Sequence, residues 1–472
     1  MPPSLDPAAI QPQDRANPSC PHFGPCGGCQ LQHLTYAAQL RDKATQLRTR
    51  LEATGLALPA LQLHPSPPLA YRNRIRLTLA EVDGQLRAGY IRNPATLSTS
   101  HQNETVIPTE VLSEPEASRT DEVEGPPHFS RAATQSERPA FLPITACPIA
   151  APILWRATEA LLTQINEPPT TWLRNPHQIP DQLELFTTAD ESRLQLTLYL
   201  RTAAKSLPKK LAADFTALCE SLRTHIPELT GAGIAILPAL SRQRSRRNEQ
   251  PRPGPAWGSP GLNYSISAKD QIVILSGAKN PRISPLPLSV LEPRTSNLKP
   301  ATYWVPRTAF FQVNRFLLPE LLALVTNNRT GKLAFDLYAG VGLFSRALAA
   351  RFAQVTAVEI AEPAFTALAA TKLPNLNAVK ATTLDFLRVA VLQRDRPDLI
   401  VLDPPRTGTG PEVCTLLARI AAPTLVYVSC SPEKLPADLT TLTASGYTLT
   451  ELHLFDLFPQ TTHIETVAIL TR

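Results

Sequence analysis

The sequence predicts an α/β protein in two parts, an α+β region over residues 1–300 and a doubly wound domain over residues 301–472. Three observations support this prediction. The 472 residues exceed the ~250–300 at which a single core stops growing. Short apolar runs alternate with helical patterns in the last third of the chain. A tight glycine turn follows the first of these runs, as it does in sheets that bind ligands at their carboxyl edge.

The carboxy-terminal domain contains a series of short apolar runs that predict strands. They cover residues 333–338, 355–360, 399–402, 425–428 and 467–470. Gly340 and Gly342 follow the first strand, Glu359 closes the second, Asp403 follows a later one and Cys430 the next. Because ligands of a parallel sheet bind beyond the carboxyl ends of its strands, we expect these residues to converge on one edge.

The region before residue 301 mixes helical and strand patterns. Helical spacing occurs at 31–51, 153–165 and 212–222, and strand patterns occur at 71–79 and 194–200. The first helix carries interspersed basic residues and is expected to be exposed. Residues 93–139, 241–260 and 277–300 lack apolar periodicity and are rich in proline or in polar and charged residues, so they are predicted to be disordered insertions.

Composition and charge limit the class of protein. No run approaches the roughly 20 apolar residues of a membrane span, and the amino terminus lacks a secretion-signal pattern, so we expect a cytoplasmic protein without a membrane partner. The net charge of +6 is compatible with a polyanionic partner. Two basic groups could contact such a partner, although solvated surfaces explain them as well. They are Arg72, Arg74 and Arg76 in a strand, and Arg242, Arg244, Arg246, Arg247 and Arg252 in an insertion.

Four of the seven cysteines form a candidate metal site. Cys20, Cys26 and Cys29 lie close together, and Cys147 is a candidate fourth ligand from far along the chain. Cytosolic thiols are kept reduced, so this grouping indicates metal binding rather than disulfides. Four thiolates with a proline after the last one are typical of an iron–sulfur cluster.

A structural zinc ion is the alternative for this site. The three clustered thiols could bind zinc together with His22 or His33, and spacing alone does not decide between the two. Unliganded thiols are the third interpretation. The separate Cys219 and Cys414 fall in helix-like apolar patterns and are predicted to be small core residues.

The glycine turn predicts a nucleotide-containing cofactor. Gly340 and Gly342 let the backbone approach a ligand, and Glu359, about 20 residues further on, could hold ribose hydroxyls. The absence of a third glycine favours S-adenosylmethionine over NAD. The run Asp403-Pro404-Pro405 forms a rigid extended turn that could hold a planar base.

Cys430 is the candidate nucleophile, at the end of an apolar strand. The C5 atom of a pyrimidine is a poor nucleophile, and attack of a thiolate at C6 converts it into an enolate equivalent. A base must then remove the C5 proton. Glu465, just before the final strand, is the best-placed acid for that step.

Taken together, these motifs resemble the RNA uracil-C5 methyltransferase family, whose members form 5-methyluridine and carry an iron–sulfur cluster. The matching motifs are Phe310-Phe311-Gln312-Val313-Asn314, Asp336-Leu337-Tyr338-Ala339-Gly340-Val341-Gly342, Asp403-Pro404-Pro405-Arg406, Ser429-Cys430-Ser431-Pro432 and His463-Ile464-Glu465-Thr466. The resemblance implies a Rossmann-like methyltransferase domain and a four-iron four-sulfur cluster on Cys20, Cys26, Cys29 and Cys147.

The resemblance also implies roles for single residues. Gln312, Tyr338, Glu359 and Asp403 would contact S-adenosylmethionine, Cys430 would be the nucleophile and Glu465 the base. Leu343 and Ser431 depart from the family pattern, since many members have asparagine at each position.

The resemblance implies that the partner is RNA, with large-subunit ribosomal RNA favoured and transfer RNA as the alternative, and we expect a monomer. Three other functions stay open at this stage. They are methylation of a base nitrogen, which needs no thiol, RNA binding without catalysis, and NAD-dependent oxidoreduction, which the glycine pattern disfavours.

Overall fold

The computed structural model describes residues 10–91, 141–167, 180–202, 210–238, 251–266, 301–326 and 328–472. The predicted insertions at 93–139 and 277–300, and Arg242, Arg244, Arg246 and Arg247, lie outside these ranges. In the part of the chain that is described, no helix is long and apolar enough to cross a membrane.

The elements are numbered in chain order. The strands are β1 (Leu61–His64), β2 (Arg74–Val82), β3 (Gln85–Ile91), β4 (Phe141–Pro143), β5 (Gln182–Thr187), β6 (Leu194–Thr202), β7 (Leu229–Pro238), β8 (Arg252–Gly258), β9 (Gly261–Ile266), β10 (Ala301–Pro306), β11 (Gly331–Leu337), β12 (Phe352–Glu359), β13 (Leu376–Lys380), β14 (Leu399–Leu402), β15 (Thr424–Ser429), β16 (Thr448–Phe455) and β17 (Glu465–Thr471). The α-helices are α1 (Tyr36–Glu52), α2 (Pro152–Asn166), α3 (Lys210–His225), α4 (Leu318–Thr326), α5 (Leu343–Ala349), α6 (Glu362–Ala369), α7 (Thr383–Gln393), α8 (Pro411–Ile420) and α9 (Leu435–Ala444).

The carboxy-terminal sheet has the strand order β1-β16-β17-β15-β14-β11-β12-β13. Its centre is parallel and apolar on both faces, as the fully buried strand β14 illustrates. Helices cover both faces of such a sheet, so the sequence of a buried strand is a continuous apolar run. The prediction of a doubly wound α/β domain therefore describes the centre of the sheet.

One strand departs from the predicted parallel arrangement, and another comes from outside the predicted domain. β17 lies between β15 and β16 and runs antiparallel to both. A short connection of residues 456–464 joins β16 to β17, and antiparallel neighbours are the pairing that a short connection permits. The edge strand β1 comes from the amino-terminal region and pairs parallel with β16. The amino-terminal region thus completes the carboxy-terminal sheet.

A second sheet, built from the central part of the chain, has the strand order β4-β3-β2-β5-β6-β7-β8. β9 and β10 form a separate two-stranded antiparallel sheet. The prediction of disorder over residues 241–260 is wrong for its second half, because β8 pairs antiparallel with β7. Two prolines and two glycines hide the strand pattern in the sequence, and they are tolerated because β8 is an edge strand.

Two predictions about basic residues need correction. Helix α1 is not simply exposed, because Lys43 is buried and its Nζ lies 2.6 Å from the Asp456 carboxylate. The strand arginines Arg74 and Arg76 both pair with Glu184 on the neighbouring strand β5. The single Glu184 carboxylate offsets one of these two positive charges, so the pairing reduces the positive charge of this strand.

Candidate active site

Strand register brings the candidate residues to one edge of the carboxy-terminal sheet. Leu337, at the end of β11, lies opposite Val358 of β12 and Leu402 of β14, so the segments that follow these strands begin at the same level. β17 runs in the opposite direction, and Ser429 of β15 pairs with Thr466. This register places the first residue of β17, Glu465, beside Cys430.

The Cys430 thiol is surrounded by carboxyl groups. Its pKa is raised to about 11, mainly by burial and also by the negative charges of Glu465 and Asp403, whereas Arg406 acts in the opposite direction. At neutral pH the thiol is therefore protonated. The Arg406 guanidinium is the positive group that favours the thiolate form.

Glu465 is a buried acid beside the thiol. Burial raises its pKa well above the usual value, and the charge of Asp403 raises it further. Its Oε1 atom is buried and has no hydrogen-bond partner among the described residues. A buried carboxylate oxygen without a donor is a strong proton acceptor once it is ionised, because no hydrogen bond stabilises its charge.

Two further buried acids lie behind this edge. The pKa of both Asp336 and Asp403 is raised to about 7, mainly by burial. The negative charge of Glu359 contributes to the shift of Asp336, and that of Asp336 contributes to the shift of Asp403. The Gln312 amide donates to Asp403 and opposes that shift. Ser345 hydrogen-bonds Asp336 Oδ2, whereas Asp336 Oδ1 is buried without a partner among the described residues.

The glycine turn connects β11 to helix α5. Tyr338, Gly340 and Gly342 adopt φ values of 61°, 58° and 88°. A Cβ atom on Gly340 would meet no atom within 4 Å, so open space adjoins the turn. Gly342 is the N-cap of α5, which leaves the backbone N–H groups of the first helical turn directed towards that edge.

Glu359 closes the same region from β12. Its Oε2 accepts from Gly340 N at 2.8 Å, and its Oε1 accepts from the Ile360 and Ala361 backbone N–H groups at 2.8 and 2.6 Å. The carboxylate therefore fixes the glycine turn to the end of β12. The next residue, Ile360, is an exposed apolar side chain.

His463 and Asp336 were not among the predicted site residues. The pKa of His463 is lowered to about 4, mainly by burial and also by the positive charges of Arg406 and Arg72. The imidazole is therefore neutral at physiological pH. Asp336 directly follows an apolar run in the sequence, which is a signal for a strand-end acid. No sequence pattern marks the burial of His463, because it depends on contacts between distant segments.

The four predicted metal-binding cysteines line one cavity of about 120 Å³. The pKa of Cys147 is raised to about 11, mainly by burial and also by the nearby Cys29 and Cys26, while Arg72 acts in the opposite direction. Within the described ranges, no group of three or more His, Cys, Asp or Glu side chains is close enough to hold a single metal ion. The prediction that Cys219 and Cys414 are core residues is confirmed, as both are fully buried.

The two histidines of the zinc alternative are used elsewhere. His22 Nε2 accepts from the Thr145 backbone N–H at 2.9 Å and lies 3.0 Å from its hydroxyl. His33 lies against the ring of Phe23 at 5.7 Å between centroids. Neither side chain is among those that line the cavity of the four thiols.

A parallel-centred sheet with a glycine turn, an acid at the end of the second strand and further acids at the same edge defines the class of α/β methyltransferase folds. A structure of this class, the Pyrococcus abyssi tRNA (uracil-54, C5)-methyltransferase in complex with S-adenosyl-L-homocysteine, matches 95% of this chain and 86% of its own with a TM-score of 0.59. The sequence identity is 19%, so the match shows the shared fold.

Sequence comparison relates the carboxy-terminal part of the chain to one family. The family model for tRNA (uracil-5-)-methyltransferase matches residues 295–472. A 23S rRNA (uracil(1939)-C(5))-methyltransferase from Halomonas elongata is 26% identical over 97% of this chain and 77% of its own length. The carboxy-terminal part of the chain is therefore similar to RNA uracil-C5 methyltransferases.

Other relatives match over the carboxy-terminal part alone. An uncharacterised RNA methyltransferase from Thermotoga maritima is 38% identical over 36% of this chain and 40% of its own length. One from Clostridium tetani is 36% identical over 35% of this chain and 37% of its own. The matched stretch of this chain thus covers well under half the length of each of these relatives.

Proposed function

We propose that the protein transfers a methyl group from S-adenosylmethionine to C5 of a uridine in 23S ribosomal RNA, with Cys430 as nucleophile and Glu465 as base. One observation carries this proposal. A thiol and a buried carboxyl whose Oε1 has no hydrogen-bond donor among the described residues lie side by side at the edge that also holds the glycine turn. Methylation of a base nitrogen needs neither group.

The residues at the carboxyl edge fit S-adenosylmethionine. Open space adjoins Gly340, the exposed Ile360 offers an apolar surface to an adenine ring, and Asp336 Oδ1 can accept from an ammonium group. Gln312, Tyr338, Glu359 and Asp403 are the further contacts that we propose. Bound S-adenosylmethionine supplies the methyl group and leaves as S-adenosylhomocysteine.

The protein side of the reaction involves two residues. The Cys430 thiolate, favoured by Arg406, attacks C6 of the uracil, and the C5–C6 double-bond electrons move to O4. C5 then takes the methyl group. The ionised Glu465 carboxylate removes the C5 proton, the C5–C6 double bond re-forms, and the carbon–sulfur bond breaks to release the thiolate. The raised pKa of Glu465 makes its carboxylate the stronger base for this step.

We further propose that Cys20, Cys26, Cys29 and Cys147 hold a four-iron four-sulfur cluster. The four thiols border one cavity, whereas no group of three ligands can hold a single ion in the part of the chain that is described. A single zinc ion draws its thiolates to about 2.3 Å from one centre. A cluster binds each thiolate to a different iron, and the four thiols that border one cavity support it.

RNA is the proposed partner. Phe310, adjacent to the site residues Phe311 and Gln312, exposes 67% of its surface, which is unusual for a large apolar ring. An exposed aromatic ring can stack on an unpaired base, and a uridine must leave its helix to reach a thiol at the sheet edge. Ribosomal RNA is favoured by the full-length relatives and transfer RNA by the name of the family model.

A nucleoside analysis tests the proposal. The anaerobically purified protein is incubated with methyl-labelled S-adenosylmethionine and either 23S ribosomal RNA or transfer RNA, and the digested nucleosides are identified by mass spectrometry. We expect labelled 5-methyluridine from the ribosomal RNA with the wild-type protein and none with Cys430→Ala. A labelled N-methylated base, or activity retained by Cys430→Ala, would overturn the assignment, and label in transfer RNA alone would correct the substrate. The matched control is Cys414→Ala, which removes a buried thiol outside the site.

A further inference from the structure

We propose that the amino-terminal segment that carries Cys20, Cys26 and Cys29 holds the loop that delivers Glu465, and that Gln460 is the positioning residue at their junction. This inference rests on the proposed role of Glu465. The loop in question, called here the 456–464 loop, joins β16 to β17 and carries His463. Phe455 and Glu465 pair at the two ends of the loop, so the position of the loop affects the position of the Glu465 carboxyl.

Three successive carbonyl groups of the 456–464 loop accept hydrogen bonds from the amino-terminal region of the chain. The Gln30 and Leu31 backbone N–H groups both donate to Gln460 O at 3.0 Å. The Tyr71 hydroxyl donates to Pro459 O at 3.0 Å, and Lys43 Nζ donates to Phe458 O at 3.0 Å. Other bonds come from the carboxy-terminal part or from the loop itself: Asn314 donates to Leu457 O at 3.1 Å, the Leu457 N–H donates to Phe455 O at 2.9 Å, and the Thr461 hydroxyl donates to Phe458 O at 2.8 Å.

Gln460 makes a reciprocal pair with Gln39 of helix α1. Gln39 Nε2 donates to Gln460 Oε1 at 2.9 Å, and the Gln460 backbone N–H donates to Gln39 Oε1 at 2.9 Å. Both side chains are buried. Gln460 also adopts a φ of 68°, a conformation that costs about 1–2 kcal/mol for a residue other than glycine. Such a conformation persists because the surrounding contacts impose it.

The same segments border the cavity of the four thiols. Gln30 directly follows Cys29, and its side chain donates to Gly27 O at 2.6 Å and accepts from Thr462 N at 3.4 Å. Tyr71, which binds the loop, precedes Arg72, which lines the cavity. The turn that carries the thiols and the 456–464 loop are therefore joined through contacts of Gln30 and Tyr71.

This coupling affects one step of the proposed reaction more than the other. Cys430 follows β15, and its neighbours Ser429 and Ser431 are hydrogen-bonded to each other. The position of its sulfur is therefore set by β15, and loosening Glu465 moves away a negative charge that opposes thiolate formation, so the attack should not slow. Removal of the C5 proton depends on Glu465, so loosening the loop slows the elimination and leaves the methylated RNA attached to Cys430.

Replacing Gln460 with glycine tests the step-specific effect. Gln460→Gly removes the side-chain half of the pair, the bond from Gln39 Nε2, and widens the range of backbone conformations open to residue 460. We expect turnover on ordinary RNA to fall about tenfold, the equivalent of one buried hydrogen bond, while adduct formation with 5-fluorouridine RNA changes less than about twofold. A methylated covalent intermediate should accumulate on ordinary RNA. An equal fall of both rates, or no change in either, would overturn the proposal.

The controls separate this inference from the proposed function. Glu465→Gln should accumulate the same intermediate, and if it does not, the proposed role of Glu465 fails. If Glu465→Gln accumulates it and Gln460→Gly does not, only the present inference fails. The matched variant is Gln195→Leu, which removes a buried glutamine bound to Ser259 O and Gly261 O in the central region. It should not change the ratio of the two rates.

Hydrogen exchange tests the coupling without an activity assay. In the full chain, Cys29→Ala alters the thiol site alone, and we expect amide exchange in residues 456–464 to become about tenfold faster while β7 stays unchanged. Unchanged exchange in the 456–464 loop would contradict the coupling, even if Gln460→Gly fails to fold. Equal acceleration in β7 would show general destabilisation and would also contradict it.

Discussion

At the scale of single residues, the site is defined by groups whose protonation is shifted by burial. The Cys430 thiol has a pKa of about 11, His463 has a pKa of about 4, and the Glu465 pKa lies well above its usual range. A buried thiol beside carboxyl groups is inert until it loses its proton. This environment protects the protein from unwanted alkylation and makes Arg406 the residue that favours reaction.

The raised thiol pKa predicts a pH dependence of alkylation. A thiol with a pKa of about 11 is ionised to about one part in 10⁴ at pH 7, and its thiolate fraction rises about tenfold per pH unit up to that pKa. Iodoacetamide labelling of the Cys430 peptide, followed by mass spectrometry, should therefore accelerate about tenfold per unit between pH 7 and 10. A plateau below pH 9 would contradict the burial argument. Arg406→Gln should slow labelling at every pH in this range.

The His463 pKa predicts a change of stability with pH. The folded pKa of about 4 lies below the ordinary value of 6.5, so the unfolded chain binds the proton more tightly. Stability from this residue is complete above pH 6.5 and is lost as the pH falls from 6.5 towards 4. Urea unfolding should show that His463→Gln reduces the slope of the unfolding free energy in this interval. An unchanged slope would show that His463 titrates normally.

At the scale of elements, the glycine turn between β11 and α5 separates stability from ligand binding. Gly342 has a φ of 88°, and a Cβ there would lie 2.8 Å from Leu368 Cδ1. Gly340 has a φ of 58° and open space where its Cβ would be. The two glycines therefore serve different purposes, which substitution can distinguish.

Alanine at each glycine should have a different effect. We expect Gly342→Ala to destabilise the fold by about 1–3 kcal/mol because both its conformation and its contact are strained. Gly340→Ala should change the unfolding free energy less and should weaken S-adenosylmethionine binding, because its methyl group enters the open space. Thermal unfolding and calorimetric titration measure the two effects. The reverse ranking would contradict the assignment of the turn.

Several helices and parallel strands of the chain could be predicted because their signals are local. The prediction for β14, residues 399–402, matches the structure, and α2 differs from its predicted range by one residue at each end. β8 was missed because prolines and glycines suppress the strand pattern, and the antiparallel direction of β17 depends on its connection rather than on its own residues. Local periodicity does not contain that information.

At the scale of the whole molecule, the amino-terminal region is built into the carboxy-terminal domain. β1 extends the sheet, and Lys43 of α1 forms an ion pair with Asp456 in which the side chains are 1% and 0% exposed. The sequence predicted an exposed basic helix because lysine rarely lies in a core. The partner that makes its burial tolerable lies more than 400 residues away, at a distance that sequence patterns cannot indicate.

The buried ion pair predicts strong coupling between the two ends of the chain. Lys43→Met leaves the Asp456 carboxylate buried without its cation, so we expect a loss of about 3–5 kcal/mol in unfolding free energy. The control on the same helix is Arg48→Ala, which removes an exposed pair with Glu52 and should cost less than about 1 kcal/mol. Urea unfolding measures both. Equal effects of the two variants would show that the buried pair does not join the regions.

The central claim, that Cys430 forms a temporary covalent bond with the target uracil, is tested most directly by trapping that bond. The anaerobically purified protein is mixed with S-adenosylmethionine and 5-fluorouridine-substituted 23S ribosomal RNA, denatured, digested and analysed by mass spectrometry. Fluorine at C5 cannot leave as a proton does, so the account predicts a denaturation-resistant, methylated adduct on the peptide that contains Cys430. The absence of any adduct under conditions in which S-adenosylmethionine binds and ordinary RNA is methylated would contradict it.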